Sequence, residues 1–131
     1  MARVLIVGSN RGIGLELVRA YANRGDTVFA ACRKTSPDLS AVKNTTILEG
    51  FDVSNDSVIS KLADCSELPE KLDVVIANSG ILINNDFNSL NNTDGLLTQF
   101  NTNSVGMYIL EFAVLYVKLL LKFEMVKFLE H

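Results

Sequence analysis

The sequence predicts an α/β fold in which four parallel strands, in the order 3-2-1-4, are covered by helices on both faces. Two observations predict it. Short apolar runs alternate along the chain with segments of helical periodicity, and the connections between them are short. Polar motifs also follow the four apolar runs, as expected where the carboxyl ends of parallel strands form one binding edge. Residues 1–131 are predicted to form a single domain, with a divergent helical tail over residues 118–131.

The first half of the chain contains three of the predicted strands, at residues 4–7, 27–31 and 45–48. A helix is predicted over residues 13–24, because Ile13 and Leu17 recur at helical spacing and Gly25 is suited to the C′ position. Residues 35–44 show little periodicity and favour a loop with at most one short helix.

The second half begins with another helix and ends with a long one. Ser54 is the predicted N-cap of a helix over residues 56–66, and residues 72–77 form the fourth and most hydrophobic strand. Residues 84–94 are rich in asparagine and predict a loop. From residue 96 to residue 129 the pattern is helical almost without interruption, and it contains no Gly or Pro stop signal after residue 118.

The composition excludes several classes of function. A net charge of −3 provides no basic surface for nucleic acid. No window contains the roughly 20 apolar residues that cross a bilayer, so a membrane partner is not expected. Cys32 and Cys65 match neither a disulfide framework nor a metal site; we therefore expect no metal, reduced thiols and a cytoplasmic location.

A glycine-rich turn directly follows the first strand and opens the first helix. This arrangement binds a dinucleotide pyrophosphate on backbone N–H groups and a helix N-terminus. On this interpretation Gly8 makes the turn, Gly12 lets the backbone approach the pyrophosphate, and Gly14 lets the helix pack closely on the sheet. Asn10 either caps the helix or holds the turn. The predicted cofactor-binding residues of the turn are Gly8, Ser9, Asn10, Arg11, Gly12, Ile13 and Gly14.

Four motifs together resemble the short-chain dehydrogenase/reductase family, over roughly residues 2 to 117. They are Gly-x-x-x-Gly-x-Gly after strand 1, Asp52-Val53 after strand 3, Asn78-Ser79-Gly80 after strand 4, and Asn103-Ser104-Val105-Gly106 in the next helix. Asn-Arg-Gly-Ile-Gly and Ala-Cys-Arg are most similar to the carbonyl-reductase-like branch, which includes the C-factor and sniffer proteins. The resemblance implies a Rossmann-type fold and a nicotinamide dinucleotide cofactor.

The resemblance also implies a role for each residue at the strand ends. Asp52 would accept a hydrogen bond from the adenine amino group while Val53 packs on the ring; the alternative is that Asp52 only caps the next helix. Asn78 and Gly80 would hold the end of strand 4 and leave room for the cofactor ribose. Ser79 stands where the family usually has alanine, a small change that we expect to be tolerated.

The charge at the end of strand 2 favours NADP(H) over NAD(H). A site for NAD(H) places an Asp or Glu about 20 residues beyond the glycines to bind the ribose 2′-hydroxyl, and none is present here. Arg33, Lys34 and Arg11 instead suit a 2′-phosphate, because a guanidinium group binds phosphate with two parallel hydrogen bonds. The alternative is that these are solvated surface charges.

The catalytic residues that the resemblance implies are largely missing. The family uses a serine and a tyrosine whose pKa is lowered by a lysine four residues on. Tyr21 lies in the first helix, and neither Tyr108 nor Tyr116 is followed by lysine at that spacing. Of the catalytic positions only Asn103 has a counterpart; in the family it distorts its helix and holds a water of a proton relay. We therefore expect an inactive, truncated member of the family.

Two alternatives remain beside an inactive NADP(H)-binding protein. One is an NADPH-dependent carbonyl reductase that is completed by a partner chain or a longer form, and the other is a non-enzymatic interaction module. Strand 4 would be an edge of the sheet, and helix 96–129 would expose apolar surface. We therefore expect self-association, or pairing with a full-length relative, through helix 96–129, or else marginal stability.

Overall fold

Four parallel strands form one sheet in the order β3-β2-β1-β4, as predicted. The structure is a computed structural model that describes residues 1–81 and 93–114. The strands are β1 (Arg3–Val7), β2 (Thr27–Ala31), β3 (Thr45–Leu48) and β4 (Val74–Ala77). Val7 is in register with Ala31 on one side and Ala77 on the other, so the carboxyl ends of the three strands meet at one edge.

Five α-helices and one π-helical turn surround the sheet in the part of the chain that the structure describes. They are α1 (Gly12–Arg24), α2 (Pro37–Ser40), α3 (Ser57–Asp64), α4 (Thr93–Phe100), the π-helical turn Asn101–Val105 and α5 (Gly106–Val114). The first helix ends as predicted, since Gly25 is its C-cap and donates to the carbonyl of Ala22. The single short helix α2 agrees with the prediction for residues 35–44.

The two faces of β1 bury two separate cores, which confirms a sheet with helices on both faces. Leu5 and Val7 point to one side and pack in a cluster with side chains of α3 and α5, including Leu62. Val4 and Ile6 point to the other side and pack with α1 and α2. Because successive side chains of a strand alternate between faces, a continuous apolar run is required where both faces are covered.

Strand β4 is an edge strand within the described residues, where it pairs with β1 alone. Its four residues are all half-buried, whereas Val4 to Val7 of β1 are fully buried. The prediction of residues 72–77 was two residues too long at its start. Leu72 is buried in the core without belonging to the ladder, and the strand begins only after Asp73 donates its N–H to the carbonyl of Arg3.

Ser54 is not the N-cap of the third helix, contrary to the prediction. The helix begins at Ser57 with Asp56 at the N-cap, and its first N–H is satisfied by the side chain of Asn55 (Asn55 Oδ1 to Ser57 N, 2.9 Å). Ser54 instead donates both its hydroxyl and its N–H to Asp52. An Asx turn at Asp52 thus precedes the helix. Its carboxylate binds the Ser54 hydroxyl, which the sequence had assigned to the cap.

The helix predicted from residue 96 is confirmed in its described part as a continuous helical run, but it starts earlier and contains a π-helical turn. Helix α4 already starts at Thr93, and the π-helical turn separates it from α5. Gly106, just after the turn, lies so close to the Val53 carbonyl that a Cβ would overlap that oxygen. The helix therefore packs closely on the segment that follows β3. Residues 84–92 of the predicted loop and the predicted helical tail, residues 118–131, lie outside the described residues, whereas the last two residues of that loop, Thr93 and Asp94, belong to α4.

Arg3 and Asp73 form a bidentate ion pair where β1 and β4 begin. This ion pair makes the stability of the fold depend on pH. Asp73 accepts from the Arg3 side chain (Nε 2.9 Å, Nη2 3.1 Å) and from its backbone N–H, and these bonds lower the pKa of Asp73 from 3.8 to about 2. A lowered pKa contributes stability above the unfolded-state value, and this stability is lost as the pH falls towards 2.

Asp73→Asn is therefore expected to reduce stability at pH 6 and to lose its difference from the wild type as the pH falls from about 4 to about 2. Urea denaturation over this pH range measures it. Asp64→Asn, at the exposed end of α3, is the matched control. A difference between Asp73→Asn and wild type that stays constant from pH 6 to pH 2 would contradict the ion pair.

Candidate functional site

A cleft of about 430 Å³ opens at the carboxyl ends of the strands, between the glycine-rich turn and the start of the π-helical turn. It contains most of the polar motifs that the sequence singled out. The lining residues are Gly8, Asn10, Arg11, Gly12, Ile13, Cys32, Arg33, Phe51, Asp52, Val53, Ser54, Asn78, Ser79, Gly80, Ile81, Thr98 and Thr102. The cleft therefore lies beside the switch point between β1 and β4, where open α/β sheets bind their ligands.

The three glycines of the turn meet different surroundings. Gly8 has a φ of +84°, and a Cβ there would approach the Ser79 backbone to 2.8 Å. At Gly14 a Cβ would overlap the carbonyl oxygen of Gly8. Gly12 also has a positive φ (+56°), but a Cβ there would meet nothing within 4 Å. Gly8 and Gly14 are thus required by packing, whereas Gly12 leaves room that belongs to the cleft.

The polar residues of the turn fix its backbone on the neighbouring strand. Ser9 is fully buried and its hydroxyl donates to the carbonyl of Ala31 (2.9 Å), which also accepts from the Gly8 N–H (2.9 Å). Asn10 holds the turn rather than capping α1, because its side-chain amide donates to the Lys34 carbonyl (3.2 Å). Arg11 is the extended N-cap residue of α1 and makes no side-chain cap.

Two opposite charges face the cleft from the ends of β2 and β3. Arg33 is exposed and lines the cleft, whereas the Lys34 side chain does not. The Ser54 hydroxyl (2.6 Å) and N–H (3.0 Å) bind the Asp52 carboxylate, and these bonds, with the positive charge of Arg33, hold the pKa of Asp52 below its usual range. Asp52 is therefore ionised at neutral pH and accepts hydrogen bonds, while the adjacent Val53 side chain is buried.

Asn78 joins the end of β4 to the glycine-rich turn. Its N–H donates to the Val7 carbonyl (2.9 Å), and its side-chain amide donates to the Gly8 carbonyl (3.2 Å). Ser79 follows directly and contacts Gly8 closely. Gly80 lines the cleft and would place a Cβ 3.5 Å from Oδ1 of Asn103. The Asn-Ser-Gly motif thus fixes the turn and the opposite wall of the cleft together.

Asn103 lies in the π-helical turn and binds the backbone that leaves β4. Its Nδ2 donates to the Ile81 carbonyl and its Oδ1 accepts from the Ile81 N–H, both at 2.7 Å. The distortion of the helix at this residue is the one that the family resemblance implied. π-turns inside α-helices recur at functional sites because they redirect the side chains around them. Here Asn103 in the turn binds the helix to the backbone of Ile81, which lines the cleft.

The match to known proteins decides the family. Residues 2–120 match the sequence profile of the short chain dehydrogenases. The chain belongs to the short-chain dehydrogenase/reductase family. This match extends from the first strand to beyond α5, and so it includes every motif that carries the resemblance.

Similar proteins are longer than this short-chain dehydrogenase/reductase. The 1-hydroxy-2-glutathionyl-2-methyl-3-butene dehydrogenase of a Rhodococcus species is 36% identical over 107 residues, which cover 81% of this chain and 46% of that protein. Retinol dehydrogenase 12 of Mus musculus is 33% identical over 121 residues, covering 86% and 37%. A carbonyl reductase structure from Pseudomonas aeruginosa superposes with a TM-score of 0.76 at 29% identity, covering 89% and 56%. The chain spans less than half the length of these two curated relatives.

Membership of the short-chain dehydrogenase/reductase family implies a nicotinamide dinucleotide, and the cleft fits one. Gly12 leaves open space at the start of α1, where backbone N–H groups bind a pyrophosphate. Arg11 and Arg33 bring positive charge to the same cleft, and Asp52 brings an acceptor. When bound, such a cofactor supplies hydride transfer, and the protein supplies binding and orientation.

Three of the predicted site residues do not line the cleft. Ser9 and Gly14 are buried behind the turn, and Asn103 acts on Ile81 from outside. They support the cleft instead of facing it.

No helix in the described ranges is long and apolar enough to span a membrane. The same ranges hold no group of three metal-ligating side chains.

Six lining residues were not among the predicted site residues: Cys32, Phe51, Ser54, Ile81, Thr98 and Thr102. Cys32 and Phe51 follow β2 and β3, so their positions beyond strand ends are a signal that the sequence offered. Thr98 and Thr102 are four residues apart, which places them on one helix face. Burial raises the pKa of the Cys32 thiol, with the negative charge of Glu49 adding to the effect.

The described tyrosines do not line the cleft. Tyr21 lies in α1, where the guanidinium of Arg24 stacks over its ring at 4.7 Å from the centroid. Tyr108 lies on α5 and is 69% exposed. Tyr116, which has no lysine four residues on, lies outside the described residues.

Proposed function

We propose that this chain is an NADP(H)-binding protein that prefers NADP(H) to NAD(H). The observation that carries the proposal is Arg33, whose exposed side chain lines the cleft directly after β2. This is where an NAD(H)-specific site places a carboxylate for the ribose 2′-hydroxyl. Strand β2 is instead followed by Cys32, Arg33 and Lys34, none of which is acidic.

Charge explains the direction of the preference. A 2′-phosphate is a dianion with several acceptor oxygens, and a guanidinium group meets it with two parallel hydrogen bonds. Arg11 lines the same cleft from the glycine-rich turn and adds a second cation. NADH lacks the phosphate, so the same two side chains gain little from it.

The remaining predicted site residues have roles that fit this cofactor. Asp52, ionised and on the cleft, is the proposed acceptor for the adenine amino group, and Val53 is the proposed support for the ring. Asn78, Ser79 and Gly80 are the proposed wall beside the cofactor ribose. The carbonyl-reductase-like branch is supported by the 29% identity to the Pseudomonas aeruginosa carbonyl reductase.

We expect Arg33→Asp to weaken NADPH binding by roughly 100-fold and NADH binding by less than about threefold. The change removes charge-assisted hydrogen bonds, each about 1.5–3 kcal/mol, and places a carboxylate opposite the phosphate. Titration of the purified chain with each cofactor, followed by calorimetry or by the fluorescence of the reduced nicotinamide, gives both dissociation constants.

Lys43→Asp is the matched control for Arg33→Asp. It makes the same change of charge at an exposed lysine next to β3, away from the cleft. We expect it to leave both dissociation constants within about twofold, because exposed charges beyond about 10 Å are screened at physiological salt. An equal loss of NADPH and NADH binding in Arg33→Asp would refute the proposed preference.

The same titration separates the interaction module from the other two candidates. An interaction module without nucleotide affinity would bind neither cofactor, whereas a reductase completed by a partner chain or a longer form would bind NADPH as the inactive protein does. Association through helix 96–129 is a further proposal, supported by the exposed Leu96, Leu97 and Phe100. The single domain of residues 1–131 and the cytoplasmic location stay predictions.

A further inference from the structure

Arg33 sits in a short loop, residues 32–36, that we call the Arg33 loop. On one side it is bonded to the end of β3 and the residues that follow. The Arg33 carbonyl accepts from the Gly50 N–H (3.1 Å), and the Thr35 N–H donates to the side chain of Glu49 (2.8 Å). These bonds hold the backbone of the Arg33 loop at the β3 side of the cleft.

On its other side the Arg33 loop is bonded to the glycine-rich turn through Asn10. The side-chain amide of Asn10 donates to the Lys34 carbonyl (3.2 Å), and the backbone carbonyl of Asn10 accepts from the Ser36 hydroxyl (2.6 Å). Both bonds join the glycine-rich turn to the Arg33 loop. Together they form a closed link, which we call the Asn10–Ser36 clamp.

We propose that Ser36 is a positioning residue that sets cofactor selectivity through the Asn10–Ser36 clamp. The inference rests on the proposed NADP(H) site and extends it to a residue outside the cleft lining. The pyrophosphate and the 2′-phosphate are joined by one adenosine unit. The segments that bind them, the glycine-rich turn and the Arg33 loop, therefore have to keep a fixed separation, and the clamp connects them directly.

The physical basis is preorganisation. Arg33 is exposed and its side chain loses conformational freedom on binding, so its contribution depends on how much of the loop is ordered beforehand. A loop already held by hydrogen bonds loses less freedom when the phosphate arrives. NADH has no phosphate at Arg33, so its affinity is expected to be insensitive to the order of the loop.

Ser36 has a second role that the test has to separate. It is the N-cap of the four-residue helix α2, and its hydroxyl also accepts from the Leu39 N–H (3.2 Å). Loss of the cap would lower the stability of the protein, and this would affect the binding of both cofactors alike. Loss of the clamp lowers the affinity for NADPH alone, and only while Arg33 is present.

The experiment is a double-mutant cycle between Ser36→Ala and Arg33→Ala, read as the dissociation constants for NADPH and NADH. We expect Ser36→Ala to weaken NADPH binding about three- to tenfold and NADH binding less than twofold. In the Arg33→Ala background the effect of Ser36→Ala on NADPH is expected to disappear. Ser36→Thr, which keeps the hydroxyl, is expected to restore the preference.

Two further variants complete the design. Ser60→Ala is the matched control, since it removes a hydroxyl that also donates to a backbone carbonyl (Ser57, 3.0 Å) but lies on α3. Ser36→Gly serves if Ser36→Ala does not fold, because glycine caps a helix almost as well as serine. It cannot make the Ser36 bond of the clamp, so the same loss of selectivity is expected.

Each outcome decides between the proposals. An equal weakening of both cofactors by Ser36→Ala, or a weakening of NADPH that persists in Arg33→Ala, would overturn the clamp and leave the proposed function intact. A wild-type protein without NADPH preference, or one whose preference survives Arg33→Ala, would refute the NADP(H) site and the clamp with it.

Discussion

Replacing Gly14 by alanine is expected to destabilise the fold by at least about 3 kcal/mol, and the variant is expected to be largely unfolded at 25 °C if the domain is marginal. A Cβ at this position would overlap the Gly8 carbonyl and come within 2.9 Å of the Asn78 side-chain nitrogen. Neither group is free to move, because the Gly8 N–H is bonded to Ala31 and Asn78 is bonded to both Val7 and Gly8.

Gly12→Ala is the informative comparison, because it adds the same methyl group two residues earlier in open space. Its cost is expected to be about 1–2 kcal/mol, from the left-handed backbone alone. Urea denaturation of the two variants measures the difference. The folded Gly12→Ala protein is expected to bind NADPH more weakly, since its methyl group lies at the cleft. Equal stabilities for the two variants would contradict the close packing at Gly14.

Strands β1 and β2 could be predicted because one physical signal defines them. A strand buried on both faces has to be apolar at every position, and residues 4–7 and 28–31 satisfy this rule without exception. The glycine-rich turn was also predictable from its residue types, since Gly8 and Gly14 are required by contacts with backbone atoms. Such local requirements restrict which residue types can occupy these positions, so the sequence shows them directly.

The boundaries and the supporting residues were harder to predict because they depend on side-chain contacts that the pattern of residue types does not show. Ser54 is a good N-cap residue, but the Asp52 carboxylate two residues earlier takes its hydroxyl. Asn103 has no local signal for a π-turn, and its partner Ile81 is 22 residues away. Cys32 lines the cleft only because β1 and β3 flank β2 in space.

The Arg33 loop illustrates the same limit within the cofactor site. The sequence indicated the charge of Arg33, but it did not indicate which residues hold the loop. Ser36 was interpreted as part of a loop of little periodicity, and its bond to Asn10 spans 26 residues. The type of a binding residue is therefore more predictable than the contacts that position it.

The purified 131-residue chain is expected to bind NADPH without oxidising it in the presence of aldehydes or ketones. The family resemblance requires a tyrosine with a lysine four residues on, and none of the three tyrosines of this sequence has one. Loss of a general acid/base alone lowers rates by about 10²–10⁴-fold. The loss of NADPH absorbance over a panel of carbonyl compounds is therefore expected to equal the buffer blank.

The Arg33→Asp protein controls this assay, because a contaminating reductase does not depend on Arg33. Turnover that is equal in wild type and Arg33→Asp comes from a contaminant, and the inactive assignment stands. Turnover that falls with the NADPH affinity of Arg33→Asp comes from this chain and would refute inactivity. Turnover that needs the C-terminal half of a relative added in trans, and that still falls in Arg33→Asp, would establish the reductase completed by a partner, with the cleft described above as its cofactor site.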